Sequence, residues 1–220
     1  MAHREAGLTL RLARILAPVT VLGPGRRVAV WVQGCAIACP GCASVDTWDP
    51  AGGEAVPVDE VCKLLADQIG ELSLDGLTIT GGEPTSQPEA LAELVTSLRA
   101  RLGPRPLDVL LFTGRTHPAA TRVAPALLAL ADCVVAGPYR RELPGEGRLV
   151  ASGNQTVSYG SAAARRRYED WNAADGARLQ VTAEQGDLLL VGLPEPGDLS
   201  EFESRLRERG VGLGEVSWRA

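Results

Sequence analysis

From Arg27 to Ala136 the chain alternates short apolar runs with amphipathic stretches, punctuated by glycine and proline. This alternation constrains the fold more than any other feature. Arg27 to Val32 (RVAVWV) is a near-continuous apolar run after the turn Gly23-Pro24-Gly25 and reads as a buried strand. Val58 to Ile69 places Val61, Leu64, Leu65 and Ile69 on one helical face, with Asp59 and Glu60 in the first turn. Gly76 to Thr80 reads as a strand ending at Gly81-Gly82, and Pro88 to Leu102 as a helix stopped by Gly103-Pro104. Leu107 to Phe112 is again a strand, Pro118 to Ala131 a helix, and Cys133 to Ala136 a strand ending at Gly137-Pro138.

Strand and helix in this order predict right-handed βαβ units and a parallel sheet. About five or six units fall short of a closed eight-stranded barrel, which takes roughly 250 residues. The expected fold is therefore α/β, an open, partial parallel (β/α) barrel. Ligands of such sheets lie at the carboxyl ends of the strands, here in the loops after Val32, Thr80, Phe112 and Ala136. From about Ala177 the pattern changes. Leu179 to Thr182 and Asp187 to Val191 flank the turn Glu184-Gln185-Gly186, a hairpin signal, and Glu201 to Arg209 reads as a short helix with Leu199, Phe202 and Leu206 on its apolar side. The expected division is a partial barrel over 1–176 and a small ββα extension over 177–220, either an add-on unit or the last edge of the main sheet. The polar stretch from Gly153 to Gly176 between them is expected to be a long loop with at least one helical turn.

Composition excludes several classes. Hydrophobic residues are 45% and charged residues 22%, the balance of a chain with a real core rather than a disordered one. The net charge of −5 gives no basic field for nucleic-acid phosphates or an anionic membrane surface. Arginines interrupt every apolar run of the first twenty residues, so no secretory leader is expected, and no stretch reaches the length of a membrane span. The expectation is a cytoplasmic protein whose cysteines are thiols or metal ligands rather than disulfides. Oligomeric state is not legible.

Five cysteines, two histidines and one methionine suffice for one metal site. Cys35, Cys39 and Cys42 form a C-x3-C-x2-C loop directly after the strand ending at Val32. Three thiolates in eight residues can hold one face of a [4Fe–4S] cube and leave the fourth iron open to a chelating ligand. The alternative is a zinc knuckle, but tetrahedral zinc takes a fourth ligand, and His3 and His117 are remote in sequence. Cys62, on the face of Leu65 and Ile69, and Cys133, in an apolar strand, read as small buried hydrophobes. One βα unit on, Thr80-Gly81-Gly82-Glu83-Pro84 ends a strand on the same predicted edge. Its glycines permit close approach of a ligand to the backbone, and Glu83 adds a carboxylate for a ligand ammonium.

These segments together resemble the radical S-adenosylmethionine (SAM) superfamily, whose marks are C-x3-C-x2-C and a GGE loop on the next strand. The resemblance is closest to the anaerobic ribonucleotide reductase activating proteins and related glycyl-radical-enzyme activases. It is carried by Gly34-Cys35 through Cys39-Pro40-Gly41-Cys42, Thr47-Trp48, Gly81-Gly82-Glu83-Pro84, Thr113-Gly114-Arg115-Thr116, Asp132 with Gly137-Pro138-Tyr139, and Ser152-Gly-Asn154-Gln155. Arg115 stands where the family has tyrosine, Ala151 where it has glycine, and the tail lies outside the minimal activase.

The resemblance implies a [4Fe–4S] cluster on Cys35, Cys39 and Cys42, with SAM chelating the fourth iron through its amine and carboxylate. Gly81, Gly82, Glu83 and Pro84 would fix the SAM ammonium, Thr113 and Gly114 its carboxylate or ribose, and Gly137 its adenine side. Reductive cleavage then gives a 5′-deoxyadenosyl radical that abstracts hydrogen from a substrate. The leading partner is a glycyl-radical enzyme. A small molecule or peptide in a biosynthetic pathway is the alternative, and a non-catalytic zinc or electron-transfer module a remote one. The electron must come from an external flavodoxin or ferredoxin, because two leftover cysteines cannot ligate a second cluster. Among other residues, Trp48 is expected to pack over the cluster loop, Arg26 and Arg27 to lie at the surface, and Arg165 to Arg167 to form a solvated helix face. Asn154 and Gln155 match the family segment without an assigned role.

Overall fold

The protein is represented by a computed structural model that describes residues 7–184, 187–212, 214 and 216. In chain order its elements begin with β1 (Thr9–Val19), β2 (Arg27–Val32), β3 (Glu54–Pro57), α1 (Val58–Glu71), β4 (Gly76–Gly81) and α2 (Pro88–Leu102). There follow β5 (Asp108–Thr113), α3 (His117–Val123), α4 (Pro125–Leu130), β6 (Cys133–Ala136), β7 (Thr156–Tyr159) and α5 (Ala162–Ala173). The hairpin β8 (Leu179–Glu184) and β9 (Asp187–Gly192) and the helix α6 (Asp198–Glu208) end the described structure.

The main sheet runs β3-β1-β2-β4-β5-β6-β7. Its centre, β2-β4-β5-β6, is parallel, and β1, β3 and β7 join antiparallel. The terminal strands β3 and β7 lie at opposite edges, so the sheet is open, as expected. The parallel part has three crossovers rather than five or six units, because antiparallel strands complete the sheet on both sides. Register brings Val32 beside Gly81 and Thr113 beside Ala136, so the carboxyl ends of the four central strands share one edge.

The alternation of β2 explains the layers. Val28, Val30 and Val32 pack with Leu77, Ile79, Val109 and Leu111 against α1, α2 and α4. Ala29 and Trp31 point to the other face, where they meet Val19, Val21, Leu22 and Val191 of the tail. On that same face Leu110, Cys133 and Val135 pack with Leu149 and Tyr168 of α5. Cys62 and Cys133 are buried core side chains, as read from the sequence.

Other expectations change as well. The helix expected over Pro118 to Ala131 is two helices, because Pro125 has no N–H to continue the ladder and turns Ala124 out of the helical region. The segment from Gly153 to Gly176 is not mainly loop. It holds β7 and the three-turn α5, whose N-terminus is capped by the Ser161 hydroxyl accepting from the Ala164 N–H at 3.1 Å. Leu64 is 45% exposed, and Cys62 takes its place on the buried face of α1. Arg27 lies fully inside rather than at the surface.

The Arg27 guanidinium joins the amino ends of three strands. It donates to the Thr78 hydroxyl at 2.7 Å, the Asp108 carboxylate at 2.7 Å, and the carbonyls of Pro24 and Leu77 at 3.0 and 2.8 Å. Asp108 also accepts from the Tyr168 hydroxyl and from Arg167 at 3.3 Å, so Arg167 is an ion-pair partner rather than part of a purely solvated face. Arg165 pairs with Glu169 on the exposed side of α5. This buried network sits at the end of the sheet opposite the strand carboxyl ends and holds them in register.

The tail forms its own two-stranded sheet rather than an edge of the main one. The Gln180 side chain docks it, accepting from Thr20 N–H at 3.0 Å and donating to the Pro18 carbonyl at 2.9 Å. Its turn residues Gln185 and Gly186, like His3, lie outside the described residues. Among the described residues no helix is long and apolar enough to cross a membrane.

Candidate functional site

A cavity opens at the shared carboxyl edge. Cys35, Cys39 and Cys42 line it together with Gly81, Gly82 and Glu83 from the end of β4, Thr113 and Gly114 from the end of β5, and Gly137 after β6. Residues as far apart in sequence as Cys35 and Gly137 thus meet because the parallel register aligns their strand ends. Pro84 is not on the wall. It is buried as the first residue of a 3-10 turn, Pro84–Ser86, behind the loop.

The cysteine loop is stitched at both ends. The Gly34 N–H donates to Thr47 O at 2.8 Å and the Cys35 N–H to Trp48 O at 3.0 Å. Gln33 braces the return segment, donating to the carbonyls of Asp46 and Asp49 at 3.2 and 2.8 Å. All three sulfurs belong to half-buried residues. Burial pushes the Cys42 thiol up, opposed by the Ser44 N–H and the Trp48 indole and reinforced by Cys35. Burial also pushes Cys39 up, opposed by the Tyr139 N–H and reinforced by Cys42 and Cys35.

The GGE turn is fastened to this loop. The Gly82 N–H donates to Val32 O and the Glu83 N–H to Gly34 O, each at 2.8 Å. A Cβ on Gly81, at φ +105°, would lie 2.5 Å from the Val32 nitrogen, and one on Gly82 2.4 Å from the Gly34 oxygen. The glycines are therefore needed for backbone packing between β4 and the cysteine loop, beyond any close approach of a ligand.

Glu83 is 1% exposed and its carboxylate is engaged by the protein. Oε1 accepts from the Thr85 N–H at 2.9 Å and from the hydroxyls of Thr85 and Thr113 at 2.6 and 2.7 Å, while Oε2 accepts from the Gly114 N–H at 2.8 Å. The Thr113 hydroxyl in turn accepts from the Arg115 N–H at 3.1 Å. Arg115 bonds through Nε to the Thr85 hydroxyl at 2.9 Å, which ties it to the GGE turn. In this geometry Glu83 and Thr113 position the backbone of the cavity wall.

Several wall-forming residues were not singled out as such in the sequence. Gln155 accepts from the N–H groups of Ala151 and Ser152 at 2.9 and 3.1 Å and donates to Gly137 O at 3.1 Å, holding the loop after β6. Asn154 donates to Pro138 O at 2.8 Å. The serine–asparagine–glutamine spacing was the available signal. Arg14, half-buried over the Trp31 ring and paired with Asp46, gave no signal because it interrupts an apolar run. The tail adds Leu188, Leu190, Val191 and Leu199 to the wall, none of them marked by a motif.

The donor set can be tested against the group it implies. A zinc draws its ligands to about 2.3 Å, whereas a cube carries its thiolates on separate irons around one face. Three half-buried cysteines on one loop, lining one cavity, fit the cube.

Comparison with known proteins agrees. The family described as "4Fe-4S single cluster domain" matches residues 21–158. The anaerobic ribonucleoside-triphosphate reductase-activating protein of Enterobacteria phage T4 is 32% identical over 139 residues, covering 62% of this chain and 86% of its own length. The protein of the same name from Vibrio cholerae is 29% identical over 143 residues, 64% of this chain and 92% of its own. A pyruvate formate-lyase-activating enzyme of Clostridium pasteurianum is 39% identical over 75 residues, and this chain spans only 32% of that relative. Both cavity and comparison lead to one assignment: the chain belongs to the 4Fe-4S single cluster domain family, in the radical SAM branch of the glycyl-radical-enzyme activating proteins.

Proposed function

We propose that this chain activates a glycyl-radical enzyme of the anaerobic ribonucleotide reductase type, with Cys35, Cys39 and Cys42 as ligands of a [4Fe–4S] cluster. The observation that carries the reading is the hydrogen bond from the Glu83 N–H to Gly34 O, which sets the GGE turn directly against the first cluster cysteine. When bound, cluster and SAM supply a one-electron cleavage that yields a hydrogen-abstracting 5′-deoxyadenosyl radical. The chain's own part is to hold and orient. The half-buried peptide groups at Gly81 and Gly82, held in place by the Glu83 network, would hold the SAM ammonium. Gly114 and Gly137, which line the same cavity, would hold the ribose and adenine sides. Trp48 and the tail leucines limit water around the cluster.

The electron is supplied from outside by a flavodoxin or ferredoxin, since Cys62 and Cys133 are buried in separate parts of the core. The reading places the protein in the cytoplasm, with residues 1–176 as the catalytic unit and 177–220 as an extension docked on it. The test is to incubate the reconstituted, reduced protein and SAM with a ribonucleotide reductase of the glycyl-radical class. A doublet glycyl-radical signal by electron paramagnetic resonance (EPR) is expected, and its absence alongside intact SAM cleavage rejects this substrate. A second reading, modification of a small molecule or peptide, draws on one observation. Leu188, Leu190 and Leu199 of the tail line the cavity and give it an apolar wall that could grip a small guest.

A further inference from the structure

We propose that the indole N–H of Trp48 donates a hydrogen bond to the Cys42 sulfur once that sulfur ligates iron, and thereby raises the reduction potential of the cluster. The inference rests on the cluster reading above and adds to it a residue that tunes the site.

The Trp48 Nε1 atom is buried and has no hydrogen-bond partner within the protein. Buried indole N–H groups normally have an acceptor, so an unpaired one beside a cavity points to a partner that arrives with the ligand. The backbone that carries the ring is fixed on both sides. Its carbonyl accepts from the Cys35 N–H at 3.0 Å, its own N–H donates to Val45 O at 3.0 Å, and Thr47 before it is fully buried and bonded to Ser44 O at 2.7 Å.

Trp48 and Cys42 line the same cavity. The indole is a neighbour of the Cys42 sulfur, although its N–H stops short of an ordinary hydrogen bond to it. A neutral thiol is a weak acceptor and does not close that bond, whereas an iron-bound thiolate carries the negative charge that does. The Ser44 N–H, 3.4 Å from the same sulfur, supplies a second donor. Trp48 thus links the first and third cysteines, by its backbone to Cys35 and by its ring to Cys42. Donors to ligand sulfurs stabilise the more negative, reduced cluster and so raise its potential. A higher potential brings the cluster within reach of an external one-electron carrier.

The test compares wild type, Trp48→Phe and Trp171→Phe, each reconstituted anaerobically and titrated by EPR. Trp171 lies under Arg148, away from the cavity, and serves as the control. At the poise that half-reduces the wild-type cluster, the ratio of reduced to oxidised cluster in Trp48→Phe is expected to fall about tenfold, equivalent to about 59 mV for one electron. Trp171→Phe is expected to leave the midpoint unchanged. Equal midpoints in wild type and Trp48→Phe overturn the inference while leaving the cluster reading intact. Failure of the wild type to take up iron overturns both. If Trp48→Phe alone does not load, indole-15N labelling in a Trp31→Phe background decides: a nitrogen coupling to the reduced cluster supports the bond, and its absence rejects it.

Discussion

The Thr113 hydroxyl donates to the Glu83 carboxylate at 2.7 Å, and this bond joins the carboxyl ends of β4 and β5 beneath the cavity. The carboxylate that looks from the sequence like a ligand for an ammonium is engaged by four protein donors. Replacing Glu83 by Gln puts an NH2 group where an acceptor is needed. A loss of about 1.5–3 kcal/mol in stability is expected, the scale of hydrogen bonds to a charged group, measured by urea unfolding of the cluster-free protein. Unchanged stability with lost SAM binding would assign the carboxylate to the ligand instead.

At the opposite end of the sheet, Arg27 and Asp108 form a buried pair at 2.7 Å. Arg27→Leu leaves the Asp108 charge without its main partner and empties four acceptors at the strand bases. The expected cost is about 3–5 kcal/mol, seen as a lower unfolding midpoint. Far-ultraviolet circular dichroism should keep its native shape in the fraction that remains folded. A change below about 0.5 kcal/mol, the scale of an ordinary surface substitution, would return Arg27 to a surface role.

Burial pushes the Tyr168 phenol far above its ordinary range, and neighbouring Asp108 adds to this against the opposing Arg27. The unfolded phenol ionises near pH 10 while the folded one stays protonated, so ionisation favours the unfolded state above that value. Stability is thus unaffected by this group below about pH 9 and falls above about pH 10, with a limiting slope near 1.4 kcal/mol per pH unit. Tyr168→Phe should remove that slope while lowering stability at neutral pH. Parallel stability–pH curves for the two proteins between pH 9 and 11 would contradict the assignment.

The tail is held by the Gln180 side chain and by Val191, which is 5% exposed against Trp31 and its neighbours. Gln180→Ala with Val191→Ala should speed hydrogen exchange across 179–193 while leaving β2, β4 and β5 protected. The same variant separates the two substrate readings. Loosening the wall should maintain or raise activation of a macromolecular partner, whereas a small substrate gripped by the leucines should turn over more slowly. Unaltered exchange in 179–193 would mean that the hairpin is anchored elsewhere.

Much of this architecture is legible in the sequence. In β2, α2 and β6 the reading and the structure share the same bounds, whereas α1 runs two residues further, to Glu71, and α6 begins three residues earlier, at Asp198. The loops at the carboxyl edge were equally legible, since cysteine spacing and glycine pairs carry chemistry that core packing does not mimic. What escaped depends on long-range partners. β1 carries Arg11 and Arg14 where a strand pattern wants apolar residues. Arg11 reaches the carbonyls of Ala51 and Gly52, and Arg14 covers Trp31. Arg27 reads as a surface residue until Thr78 and Asp108 are brought beside it. The tail leucines read as an ordinary hairpin face, and only docking against Trp31 turns them into a cavity wall.

Iron content and SAM cleavage in the anaerobically reconstituted protein decide whether Cys35, Cys39 and Cys42 hold a [4Fe–4S] cluster. A brown protein with about four irons per chain is expected. On reduction it should convert SAM to 5′-deoxyadenosine, and alanine at Cys35, Cys39 or Cys42 should abolish both properties. A colourless protein that binds one zinc and leaves SAM intact would contradict the cluster reading.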